Sequence, residues 1–93
     1  MAIFAIILQP GPNGEKLPQA IVDKAGEGKF LGISEGTWLV ASSGTAQDVS
    51  NRIGITEGLA GSAVVLEVAS YFGRANPAIW SWIKSNWEGP PIG

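Results

Sequence analysis

The segment Ser42-Ser43-Gly44-Thr45 gathers hydroxyls and a glycine beside the start of a helical pattern. Hydroxyls and free amides at such a junction can hold a phosphate or a carboxylate, because a helix N-terminus carries partial positive charge. The same residues also make a plain helix cap. Asp48 lies three positions after Thr45, as in a Ser/Thr-x-x-acid capping pair. Its carboxylate would compete with any external anion for that field, so the capping role is the stronger reading. No P-loop lysine and no G-x-G-x-x-G accompanies the segment.

Aromatic chemistry concentrates near the C-terminus. Tyr71-Phe72-Gly73-Arg74 sets rings beside a guanidinium, a combination able to stack on a base or another ring. The plainer alternative is a pair packed at a sheet edge with Arg74 salt-bridged outward. Trp80, Trp82 and Trp87 crowd one short stretch. Trp is enriched at interface hot spots, so Trp80, Trp82, Trp87, Tyr71 and Arg74 form a candidate interface. The same indoles also suit a helix that closes the domain, with Trp82 resting on a loop.

The sequence contains no His and no Cys. That removes Ser-His-Asp and Cys-His nucleophiles and the usual zinc ligand sets. General acid–base work would fall to a carboxylate or a lysine. The eight acids are scattered, with no D-x-D or E-x-x-E pair, and read as solvated surface. No catalytic residue, metal site or cofactor is assigned.

These residues must be positioned by a small set of elements. Residues 2–9 are apolar on both faces, Ile3, Ala5 and Ile7 on one and Phe4, Ile6 and Leu8 on the other, as an inner strand requires. Pro10 to Gly14 end it. Residues 15–25 carry a helical stripe of Leu17, Ala20, Ile21, Lys24 and Ala25. Residues 29–33 and 37–42 form a hairpin around Glu35-Gly36. A second helix spans 45–53, with Thr45 as N-cap, Ala46, Val49 and Ile53 as inner stripe, and Gly54 after its end. Residues 62–72 read as a last strand, less apolar than the first and suited to an edge. Residues 75–87 read as a third helix with Pro77 in its first turn. Ile79, Trp80, Ile83 and Trp87 share its stripe, and Trp82 lies off it.

The order β-α-β-β-α-β-α predicts an α+β, ferredoxin-like βαββαβ sandwich with a four-stranded antiparallel sheet and an extra C-terminal helix. In that layout the first and third strands are central. Residues 1–88 make one domain, and 89–93 read as a flexible C-terminal tail. The second sheet face needs a cover, from the third helix, a second copy of the chain, or both.

Six Lys+Arg against eight Asp+Glu give a net charge of −2, which argues against a nucleic-acid partner. The apolar N-terminal run is too short to span a membrane and has no positive flank for a signal peptide. Absence of cysteine suits a reducing cytoplasm.

The N-terminal strand, the segment Thr37-Trp38-Leu39-Val40-Ala41-Ser42 running into Gly44-Thr45-Ala46-Gln47-Asp48-Val49, and the Val64–Val68 strand together resemble the small bacterial SinR-like proteins. Those are similar in fold to the CRISPR adaptation subunit often described as an endonuclease. The resemblance implies a ferredoxin-like fold and frequent homodimerisation. It also implies a metal-dependent nuclease, whose members carry an acid at the end of the first strand. This chain has Gln9 followed by Pro10 there, and Gln is a weak metal ligand and no carboxylate base.

The leading expectation is therefore a non-enzymatic, homodimeric protein-interaction module of the cytoplasm. The alternative is a nuclease or nucleic-acid-binding relative of the adaptation subunit. If Trp82 anchors the dimer, Trp82→Ala weakens association by about 2 kcal/mol or more.

Overall fold

The computed structural model describes residues 1–87, and the tail expected over 89–93 lies outside them. A strand, β1 (Ala2–Gln9), leads through a single 3₁₀ turn (Gly14–Lys16) into helix α1 (Leu17–Ala25). A hairpin of β2 (Phe30–Ser34) and β3 (Thr37–Ser42) follows, then α2 (Ala46–Ile53), β4 (Ser62–Glu67) and α3 (Pro77–Asn86).

The strands form one four-stranded antiparallel sheet in the order β2-β3-β1-β4. The doubly apolar β1 and its neighbour β3 occupy the middle, and β4 is an edge, as the strand compositions require. Register is set by pairs such as Ile6↔Trp38 on one side of β1 and Ile6↔Val65 on the other. A one-residue slip would carry every apolar set to the wrong face. The Leu8 N–H donates to the Gly36 carbonyl at 2.8 Å, tying the hairpin turn to β1.

The pleat divides β1 between two cores. Phe4 and Ile6 pack with Leu17 and Ile21 of α1, Val49 and Ile53 of α2, Val40, Ile55 and Ala60. Ile3 faces the other way and packs with Leu39 and Ile83 of α3. The molecule is thus three layers: α1 and α2, the sheet, and α3. Among the described residues no helix is long and apolar enough to cross a membrane.

Several boundaries differ from those expected. The last strand stops at Glu67 rather than running to Phe72. Its register explains this: Phe4 pairs with Glu67, the Val68 N–H reaches the Ile3 carbonyl at 2.8 Å, and β1 has almost no residues left to pair beyond that point. The first helix opens as a 3₁₀ turn and becomes α-helical only at Leu17, where Pro18 fits the first turn. Lys24, expected on the inner stripe, is exposed. The third helix starts at Pro77 instead of Ala75, because the Asn76 side chain caps it by accepting from the Ala78 N–H at 2.9 Å.

One glycine is dictated by close approach. A Cβ on Gly61, at φ +90, would lie 2.8 Å from the Gly14 Cα, so the loops after β1 and before β4 meet backbone to backbone. Gly32 on β2 pairs with Trp38, whose indole lies 3.5 Å from the position of a Gly32 Cβ, an ordinary van der Waals contact.

Candidate functional site

Thr45 caps α2 as its sequence position demands. The Asp48 N–H donates to Thr45 Oγ1 at 3.2 Å, and the Thr45 N–H donates to Asp48 Oδ2 at 2.8 Å. Both halves of the capping box are therefore present. The Thr45 hydroxyl also lies 3.1 Å from Asp48 Oδ2. These bonds to Thr45, the backbone one first, hold the Asp48 carboxyl below its ordinary pKa, with Arg52 adding a smaller pull in the same direction. The Arg52 guanidinium donates to Ser42 Oγ, which in turn lies 3.3 Å from the Ser43 carbonyl. Ser42, Ser43, Gly44 and Thr45 join β3 to α2, and the Thr45 amide and hydroxyl are engaged by the chain's own carboxylate.

The aromatic candidates separate into two groups. Tyr71 stacks on Trp80 with ring centroids 5.9 Å apart, and meets Trp87 edge-on at 5.3 Å. Such pairs add roughly 0.5–1.5 kcal/mol each beyond simple burial. Trp82 turns toward β2, and its indole N–H donates to the Gly28 carbonyl at 3.1 Å. All three helix indoles are half-buried and pack on the Ile3–Leu39–Ile83 core. Arg74 is exposed in the loop that follows Tyr71.

Tyr71, Phe72, Gly73, Trp80 and Lys84 line an open groove of about 230 Å³. That is below the roughly 300–1,000 Å³ of a typical small-molecule site. The Phe72 ring at its rim is 98% exposed.

The sequence reading missed a second apolar surface. Val64 and Leu66 of β4 pair with Ile7 and Ala5, which share a sheet face with Ile3. α3 packs on that face near Ile3, Ile33, Leu39 and Val68, and Val64 and Leu66 are not among the residues packed on that core. Val64 remains 42% and Leu66 50% exposed there. The alternation of β4 marks both residues as sharing one face. Their exposure beside the core that α3 closes is a tertiary fact.

Gln9, at the position where the nuclease resemblance expects an acid, ends β1 exposed, its side-chain amide 3.3 Å from the Leu8 carbonyl. Among the described residues, no three His, Cys, Asp or Glu side chains come together as a metal-holding group. No family model, no curated protein and no solved structure matches the chain.

Proposed function

We propose that this chain is a homodimeric protein-interaction module without catalytic chemistry, built on a ferredoxin-like sandwich, and that it self-associates through the β4 margin of its sheet. The carrying observation is the pair Val64 and Leu66, half exposed on a sheet face that α3 covers only in part. Exposed apolar side chains that adjoin one another on an edge strand mark an interaction site more readily than scattered ones. The central position of β1 and β3, with two helices on one face, supports the ferredoxin-like reading. The aromatic set Tyr71, Trp80 and Trp87, with Phe72 and Arg74 beside it, supplies a second surface for a protein partner.

Sedimentation at micromolar concentration tests the reading. A dimer that dissociates on Leu66→Lys supports it; a monomer at all concentrations up to about 100 μM removes it. The nuclease or nucleic-acid alternative requires salt-sensitive binding to RNA or DNA, or cleavage with added Mg²⁺ or Mn²⁺. Either result would replace the proposal.

A further inference from the structure

Resting on that self-association, we propose that two copies join β4 to β4, antiparallel about a two-fold axis normal to the sheet, with Val65 opposite Val65 of the second copy. The backbone fixes which groups are available. The Val68 N–H donates to Ile3 on β1, and in an antiparallel ladder the groups that face the neighbour alternate. Leu66, Val64 and Ser62 therefore point their N–H and C=O groups at β1, and Ala63, Val65 and Glu67 point theirs away from the sheet. The Leu8 N–H bond to Gly36, on the far side of β1, obeys the same alternation.

The outward row of β4 carries one usual guard of an edge, the charge of Glu67 at its end. It contains no Pro and no Lys, and its pairing with β1 runs without a register shift. The opposite edge is guarded, since the register of β2 breaks between Gly32 and Ser34.

The strand Ser62–Glu67 is its own complement. A two-fold axis normal to the sheet keeps each face on its own side. With Val65 on Val65, Ala63 meets Glu67 at both ends, and these outward groups form about six hydrogen bonds. Val64 meets Leu66 in the close pairs between them, Cα atoms about 4.5 Å apart, on the face where both are exposed. Glu67 is the sole charge on the strand and falls opposite Ala63. The two Glu67 carboxylates lie roughly 14 Å apart, beyond the screening length of about 8 Å at physiological salt. A register centred on Val64 instead sets Ser62 against Leu66 and leaves the Glu67 backbone beyond the strand pair.

The chain has no native cysteine, so disulfide mapping is clean. Val64→Cys and Leu66→Cys are made separately and oxidised with copper phenanthroline, alone and as a 1:1 mixture. The mixture is expected to give cross-linked dimer about tenfold faster than either variant alone, because close antiparallel pairs fit disulfide geometry. Fastest cross-linking of Val64→Cys with itself overturns the register. A dimer by sedimentation that shows no cross-link in any arm overturns edge pairing and leaves self-association standing. A monomer by sedimentation at the same concentration overturns both. Ala63→Pro supplies an independent arm: it removes an outward N–H without touching the β1–β4 ladder. Loss of dimer with an unchanged circular dichroism spectrum supports the pairing, and an intact dimer overturns it.

Discussion

The indole N–H of Trp82 reaches across the second core to the carbonyl of Gly28, 3.1 Å away. Lys29 adds a second tie, its ammonium 3.1 Å from Asn86 Oδ1, and the Asn86 amide donates back to the Trp82 carbonyl at 3.0 Å. Together these bonds fasten the C-terminal half of α3 to the entry of β2. Trp82→Phe removes the donor and is expected to cost about 1 kcal/mol in urea unfolding. Trp82→Ala also strips the ring from the Ile3–Leu39–Ile83 core and should cost about 3 kcal/mol. A shift in the urea midpoint too small to measure for both variants would show that α3 is not held there.

The α2 cap predicts an acid-labile contribution to stability. The folded pKa of Asp48 is depressed, first by the Thr45 backbone N–H and then by the Thr45 hydroxyl. As pH falls, the unfolded chain binds its proton first, so the contribution is whole above the ordinary carboxylate range and is lost as pH drops through the lowered folded value. Asp48→Asn should therefore be less stable than the wild type at neutral pH, and the gap should close below about pH 4. Thermal melts of both proteins across pH 2–7, as a rough span of the carboxylate range, check this; a gap independent of pH contradicts it.

Gly44 is bound to the same cap. Its φ is +91, and a Cβ there would lie 2.6 Å from Asp48 Oδ2. Gly44→Ala should cost about 1–2 kcal/mol from the left-handed backbone alone, and should also displace the carboxylate. Its melt should thus lose the pH dependence that Asp48 confers, a signature that backbone strain by itself does not produce.

Gly61→Ala is expected to be the more damaging glycine variant, at about 3 kcal/mol or more. The colliding atoms are the backbone of Gly14 and Asn13, which cannot rotate aside as a side chain does. Denaturant titration measures the loss. A cost equal to that of Gly44→Ala would mean that the two loops part freely.

The local features were legible in the sequence because their partners are near. Thr45 and Asp48 are three residues apart, and the pattern of residues 2–9 declares a strand covered on both faces without reference to anything else. The distant features were not. Gly28 lies 54 positions from Trp82, and nothing in either neighbourhood names the other. The end of β4 depends on where β1 runs out of partners, not on the polarity of Glu67 or Ser70. The exposure of Val64 and Leu66 depends on what packs beside them on the sheet, which periodicity along β4 does not encode.

The central position of β1 has a consequence for synthesis. Ile7 pairs with Thr37 on one side and with Val64 on the other, and both are translated after it. At ribosomal speed the second partner follows by roughly 3–11 s. Through that interval Phe4 and Ile6 can be sheltered by α1, β3 and α2, which are made earlier, but the β4 side of the greasiest segment of the polypeptide stays unpaired. The nascent chain is therefore most vulnerable to chaperone capture or misassembly before β4 emerges from the exit tunnel.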